Sequence, residues 1–496
     1  MKLIPFFVII PLAAAFLVSL FGKRLRGLGD VLSNLAALAL LALSLYSIPL
    51  VSAQKVLVYK VGGWIPPIGI SMVLDGLSSF MLVTVSLVSL MVTLYSVRYM
   101  EKFTDKSKFY TLFMLMLAGM NGVIITGDLF NLFVFLEIAS ISSYALVAFG
   151  TEAEELEASF KYGIMGSVTS CFILLGIGLL YSYTSTLNMA DISQVLAEKG
   201  SGVLVSFVTV LFLAGFGLKG ALVPFHAWLP DAHPSAPAPI SAMLSGVLIK
   251  VLGIYAIIRV LFNIFGVNPQ LLLVLMFLGT ISMLVGVFLA IGQWDFKRLL
   301  AYHSISQIGY VILGIGLGTP LGILGGLFHL FNHSIFKSLL FLNSGAVEYS
   351  TGTRDLRRMG GLRKKLPATA GTNIIASMSI AGIPPFNGFF SKLLIILACI
   401  QADRIGYALL AVLASILTLA SFMKVQKFAF FGKLDKALQA VKEVPFLMRL
   451  SMIIMALICV FGGLMLIPGV RGFLQSAADV LLAGNGYAGQ VFGAIR

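Results

Sequence analysis

Glu137, Lys219, Lys250, Lys337 and Lys392, together with His303, His329 and His333, each lie inside a long apolar run. A charge at the centre of a bilayer costs at least about 2.5 kcal/mol unless it meets a partner or water. These side chains hold, release and pass protons. Placed where charge is expensive, they point to movement of protons or other cations through a membrane.

Glu137 has no other acid between Asp128 and Gly150. An unpaired carboxylate in such surroundings takes up a proton, and a nearby lysine keeps it ionised. Lys219, in Ala214-Gly215-Phe216-Gly217-Leu218-Lys219-Gly220, is the candidate partner. A static ion pair that locks two helices is the alternative, although a buried pair stabilises poorly on average. Lys250 lies mid-run in Leu248-Ile249-Lys250-Val251-Leu252 with no acid close in sequence. A buried lysine readily exchanges its proton, as a relay requires; snorkelling to an interface is the other reading. His329, His333 and Lys337 follow at i, i+4 and i+8, along one helical face. Two histidines at i, i+4 could bind a metal, but no H-E-x-x-H pattern or neighbouring carboxylate accompanies them, so no metal site is expected. A file of titratable groups fits better, with a packed structural histidine the alternative for each ring. Lys392 follows Pro384-Pro385, whose missing donors leave carbonyls free. A charged residue beside a broken helix is a pointer to a transport site. His226, Asp231 and His233 sit in a proline-packed run from Pro224 to Pro239. That run is either a rigid turn or a connecting route for protons, as His303 also could be.

Membrane-spanning helices must position these groups. Hydrophobic residues make up 59% of 496 positions and charged residues 11%, too apolar for a soluble chain of this size. The apolar residues fall in blocks of about 20, which fits helices and excludes the short alternating strands of a barrel. About fourteen spans are expected, near 3–21, 31–51, 72–97, 109–127, 129–150, 160–184, 203–227, 238–263, 270–292, 299–318, 321–347, 368–400, 404–430 and 446–468. Spans seven and twelve are interrupted near Pro224 and Pro384-Pro385. The first run lacks a cleavage site and reads as a retained helix rather than a signal peptide. Cys171, Cys399 and Cys459 lie in apolar runs and read as small core residues. No cysteine cluster suits an iron–sulfur centre, so no cofactor is expected on this chain.

The net charge of +14 reads as loop lysine and arginine on the cytoplasmic side of a membrane protein, not as a nucleic-acid surface. The odd-numbered loops carry most of it, including Lys23, Arg24, Arg26, Arg354, Arg357, Arg358, Lys433 and Lys436. The even loops are assigned only Lys55, Lys60, Lys199, Arg259 and Arg404. Both termini are therefore expected outside the cytoplasm. The fifth loop, with Glu152, Glu154, Glu155 and Glu157, dissents, but acids weigh little in this rule.

Glu137-x-x-Ser140-x-x-x-Tyr144-x5-Gly150 aligns with His303-x-x-Ser306-x-x-x-Tyr310-x5-Gly316 at a constant offset of 166 residues. Pro224-Phe225-His226-Ala227-Trp228 likewise resembles Pro385-Phe386-Asn387-Gly388-Phe389. Span five then matches span ten, and seven matches twelve. A five-span unit is odd, so its second copy is inverted, as in many ion-coupled transporters.

Nearly the whole chain resembles the antiporter-like subunits shared by respiratory complex I, Mrp-type multisubunit Na⁺/H⁺ antiporters and membrane-bound [NiFe] hydrogenase or sulfur reductase complexes. The similarity is carried by Phe135-Leu136-Glu137, Leu218-Lys219-Gly220, the run Pro224 to His233, Ser241 to Lys250, and His329-Leu330-Phe331-Asn332-His333 with Phe336-Lys337. It implies an all-α integral membrane fold of fourteen helices, with helices 4–8 and 9–13 as inverted repeats and helices 7 and 12 broken. The expected divisions are 1–108, 109–265, 266–432 and 433–496. It implies Glu137 and Lys219 as a coupled pair, Lys250 as a bridge, His329 as the link between halves and Lys392 as the terminal lysine. Lys392 favours the D-type Mrp subunit and its hydrogenase or sulfur-reductase counterparts over the complex I M-type, which usually has Glu. With the chain ending soon after span fourteen, the long lateral helix of the L-type subunit is not expected. Implied partners are other antiporter subunits, a redox module in some complexes, the bilayer of a prokaryotic cell, H⁺ and, in the exchangers, Na⁺, with no nucleic acid. A non-pumping membrane anchor is the alternative function. Any redox chemistry would belong to partner subunits.

Overall fold

The computed structural model describes residues 2–25, 27–103, 105–200 and 202–495. Arg26, one of the loop cations counted above, lies outside them, as does the side chain of Lys436. The chain is mostly helical, at 81%. Among the described residues, ten helices are long and apolar enough to cross a membrane, and Phe6–Phe21, Val203–Lys219 and Asn387–Gln401 are shorter apolar helices. Large hydrophobic side chains cover the outside, such as Phe16, Leu20, Phe160, Phe207, Leu409 and Ile416. In a bilayer such a surface needs no burial, because lipid tails are as apolar as leucine.

The helix Pro320–Thr351 runs through the middle of the bundle, buried from Gly322 to Val347. At about 1.5 Å per residue it exceeds the hydrocarbon thickness. Its ends are set by sequence: the Thr319 hydroxyl accepts from Gly322 N, Pro320 opens the first turn, and Gly352 ends it at φ +73°. Gly76–Tyr99, Ala238–Phe265 and Phe296–Gly316 pack around it with almost every side chain buried. Two helices are interrupted as expected. Val203–Lys219 gives way to a loop before Leu229–Ser235, and Pro367–Ala381 to a turn before Asn387–Gln401. The Val223-Pro224 and Pro384-Pro385 bonds in these breaks are cis.

Several expectations need correction. A short antiparallel hairpin, Leu57–Lys60 paired with Ser71–Leu74, adds a strand element to a fold expected to be all helix. Helices Met189–Lys199, Pro468–Leu482 and Tyr487–Ile495 were not anticipated, because each is too short or too amphipathic for a hydropathy window. Pro468–Leu482 folds back onto the start of Gly76–Tyr99, so closely that a Cβ on Gly76 would run into the Ser476 carbonyl. Arg259 is not a loop cation. It is buried inside Ala238–Phe265 and paired with Asp75 at 2.8 Å. Cys171 faces outward, whereas Cys399 and Cys459 are buried; an apolar run on an outer helix does not tell core from lipid.

Candidate functional site

Lys219 is the last residue of its half-helix and is buried. The break after it frees the Leu218 carbonyl, which accepts from the Trp228 indole at 3.0 Å. Trp228 stacks on Tyr162 with ring centroids 4.1 Å apart, and Tyr162 meets the edge of Tyr144. This aromatic brace fixes the Tyr144 hydroxyl. The Lys219 ammonium donates to that hydroxyl at 3.0 Å and to Ser140 Oγ at 2.7 Å. Glu137 stands one turn from Ser140 but makes no ion pair with Lys219; it accepts from Ser170 Oγ at 2.6 Å. The expected direct pairing is therefore replaced by a hydroxyl seat beside the carboxylate. Glu137 is half-buried, and Val134 and Ile141 on its face are exposed, so the carboxylate lies at the rim of the bundle.

Lys250 sits in a widened, π-type stretch of its helix, Lys250–Tyr255, preceded by another over Leu244–Leu248. Such turns loosen the regular carbonyl ladder and recur at functional sites. The Lys250 ammonium donates to the carbonyls of Ser245 at 2.5 Å and Gly246 at 2.8 Å. Two glycines allow the close packing around it. A Cβ on Gly253 would run into the backbone of Gly220, so the Lys250 helix touches the break that follows Lys219. A Cβ on Gly246 would collide with Ser338 Oγ, one residue from Lys337.

Lys337, fully buried, donates to the Leu300 carbonyl, and its ammonium lies 5.5 Å from the Phe341 ring. His329 Nδ1 and Ser391 Oγ are 2.9 Å apart. The His329 and His333 rings are stacked 6.2 Å apart, and neither nitrogen of His333 has a partner among the described residues. Ser391 leads directly to Lys392. Its ammonium donates to the Ile380 carbonyl at 2.8 Å, freed by the break, and to Ser415 Oγ at 3.2 Å. It also lies 4.6 Å from the Tyr310 ring. A recess of about 230 Å³, lined by Gly382, Lys392 and Ser415 among apolar residues, opens beside it.

The structure thus gathers Lys337, His329, His333 and Lys392 around the central helix and brings the Lys250 helix against both this group and the Lys219 break. Lys219, Lys250, Lys337 and Lys392 make no ion pair among the described residues; their partners are carbonyls and hydroxyls. The connecting residues divide. His233 is buried against Phe341 at 4.6 Å, with both ring nitrogens unpartnered among the described residues. His303 Nε2 is 2.8 Å from Ser421 Oγ. His226 is only half-buried, and Asp231 is held in rim ion pairs with Lys161 and Arg298, each 3.3 Å. Among the described residues no cluster of His, Cys, Asp or Glu could hold a metal ion.

Sequence reading missed the hydroxyl seats, since serine and tyrosine are common in apolar helices. It also missed two buried charges. Arg259 lies between the Tyr255 and Tyr487 rings as well as on Asp75. Lys297, 2% exposed, pairs with Glu348 at 3.0 Å and donates to the Ala236 carbonyl. The Asp75-Gly76-Leu77-Ser78 capping pattern was legible as a helix start, but it carries no sign of Arg259.

Residues 126–418 match the family model described as NADH:quinone oxidoreductase/Mrp antiporter, transmembrane, and residues 64–110 match the N-terminus of chain 5 of NADH-ubiquinone oxidoreductase (complex I). The D-type subunit of the Na⁺/H⁺ antiporter of Alkalihalophilus pseudofirmus is 38% identical over 431 residues, covering 86% of this chain and 87% of that protein. A chain of the Mrp complex from Dietzia sp. superposes with TM-score 0.91 at 30% identity, covering 100% of this chain and 99% of that one. A chain of the membrane-bound sulfane sulfur reductase, an archaeal respiratory membrane complex, gives 0.92 at 30% identity, with 99% and 100% covered. The chain belongs to the NADH:quinone oxidoreductase/Mrp antiporter membrane-subunit family.

Proposed function

We propose that this chain is a proton-translocating, antiporter-like subunit of a multisubunit membrane complex, with Glu137, Lys219, Lys250, His329, His333, Lys337 and Lys392 as its relay. The observation that carries this reading is the set of four buried lysines that, among the described residues, lack an ion pair and are each held by neutral oxygens. A static charge in a membrane protein is paired. A lysine on carbonyls and hydroxyls changes protonation without leaving a stranded counter-charge.

In this reading the residues 109–265 and 266–432 are inverted five-helix repeats within a fourteen-helix fold, flanked by 1–108 and 433–496. The lysine–tyrosine pairs Lys219–Tyr144 and Lys392–Tyr310 support the repeat, since Tyr144 and Tyr310 are counterparts in the sequence alignment. The complex resides in a prokaryotic cell membrane with the arginine-rich loops in the cytoplasm and both termini outside. Its partners are further antiporter subunits and, in a respiratory setting, a redox module; Na⁺ is the cation exchanged where no redox module is present. Movement of Lys219 toward or away from Glu137 alters the potential at Lys250, which accepts or releases its proton toward His329, Lys337 and Lys392.

The test is proton transport by the purified, reconstituted complex. Lys250→Met and Lys219→Ala should each abolish it while the complex assembles normally. A membrane-anchor role predicts the reverse, with assembly lost and transport per assembled complex unchanged. Wild-type transport in both variants overturns the proposal.

A further inference from the structure

The half-helix Pro367–Ala381 carries a buried polar stripe that the relay does not use. Thr369, Thr372, Asn373 and Ser377 recur at i, i+3, i+4 and i+8, one face of a helix, and all are 5% exposed or less. Two amides from other helices meet this stripe. Gln426 Nε2 donates to Asn373 Oδ1 at 2.7 Å and to Ser377 Oγ at 2.9 Å. The Thr372 hydroxyl donates to Asn343 Oδ1 at 2.8 Å. Yet each amide keeps one buried group without a partner among the described residues: Asn343 Nδ2, Asn373 Nδ2 and Gln426 Oε1. A rigid polar clip satisfies all its members, because a half-satisfied network is costly in a low dielectric. Three unmatched amide groups, two donors and one acceptor, are what bridging waters require, with two to four polar partners each.

The stripe has two ends. At the outer end Glu443 is half-buried and accepts from the Thr369 hydroxyl at 2.7 Å and Ala368 N at 2.8 Å. It lies on the face that carries the basic 354–365 and 433–442 segments. At the inner end Ser421, five residues before Gln426 on the same helix, reaches His303 Nε2 at 2.8 Å, and His303 Nδ1 has no partner among the described residues. Lys337 donates to the carbonyl of Leu300, one turn from His303.

Building on the relay reading above, we propose that Asn343, Thr372, Asn373, Ser377 and Gln426 line a hydrated route that carries protons between Glu443 at the basic face and His303 and Lys337 in the centre. The ligand is water, and the transported species is a proton handed along hydrogen-bonded waters. A proton taken by Glu443 from hydronium leaves water behind. Its release inward delivers one proton to His303 Nδ1 or the Lys337 amine, and Glu443 returns to carboxylate. The route serves the second lysine group directly, without passing Lys219.

The test uses the intact complex in vesicles, with Cys171, Cys399 and Cys459 replaced by alanine. Asn373→Cys and Asn343→Cys should be labelled by a small, charged, membrane-impermeant methanethiosulfonate added at the basic face. Ala370→Cys, on the same half-helix and equally buried, should stay unlabelled. Gln426→Leu should lower proton transport by about tenfold or more, and Gln426→Glu should restore most of it. Absence of labelling at both asparagine positions in assembled complex overturns the route. So does wild-type transport by Gln426→Leu when Lys250→Met is inactive. If Lys250→Met is itself fully active, the relay reading falls and the route falls with it.

Discussion

Lys219 and Lys392 both stand at helix breaks, but their surroundings differ. Lys219 rests on two hydroxyls, those of Ser140 and Tyr144, with the Glu137 carboxylate one turn away from Ser140 on the same helix. Lys392 rests on the Ile380 carbonyl and one hydroxyl, Ser415; the tyrosine beside it, Tyr310, presents its ring 4.6 Å away, while its hydroxyl donates to the Ala411 carbonyl. Among the described residues no acid pairs with it. The first lysine therefore has a switchable partner within reach, and the second is held by fixed dipoles. A charge that must move between states needs alternatives of similar energy. On the proposed reading, the first break is the switch and the second the terminal.

Substitution of the lysines probes this contrast most directly. Lys219→Ala and Lys392→Ala should each reduce proton transport by about a hundredfold, read as pH change in vesicles holding the purified complex; a residual rate near wild type in either would remove that break from the path. A smaller effect separates the two sites. Glu137→Gln should slow transport about tenfold, and adding it to Lys219→Ala should cost nothing more, since both act in one switch; additive losses would show that Glu137 works elsewhere. The tyrosines resolve the two breaks further. Tyr144→Phe, which removes a hydroxyl that seats Lys219, should slow transport several-fold, whereas Tyr310→Phe should leave the rate intact and lower thermal stability by about 1 kcal/mol. Equal rate losses at both positions would contradict different roles for the two rings. The smallest change is Gly166→Ala. A Cβ there would collide with the Tyr144 hydroxyl oxygen, so the ring must tilt and the variant should reproduce Tyr144→Phe in part. Normal transport with a displaced Tyr144 in its structure would argue that the seat is not needed.

Static charges provide the background for this contrast. Asp75–Arg259 and Lys297–Glu348 are true ion pairs, one fully buried and one at the rim, and both tie different helices together. Their partners are carboxylates, unlike those of the relay lysines. On the proposed reading, pairing separates the charges that pin helices from those that change protonation.

Much of this was legible along the chain. The apolar runs dictated helices, because in lipid only a helix satisfies its own backbone. The prolines fixed the two breaks, and the isolated Lys, Glu and His residues marked the candidate site, since a polar group in an apolar run persists only through partners or chemistry. The family followed from motifs such as Leu218-Lys219-Gly220 and His329 to Lys337. Packing in three dimensions settled the rest: which oxygens hold each lysine, that Glu137 meets Ser170 rather than Lys219, that Arg259 is a core residue, and that Asn373, Asn343 and Gln426 converge. Sequence spacing gives the face of one helix. The hydrogen-bond partners of these groups lie on other helices, far along the chain, and nothing in local spacing says which of them will come within reach.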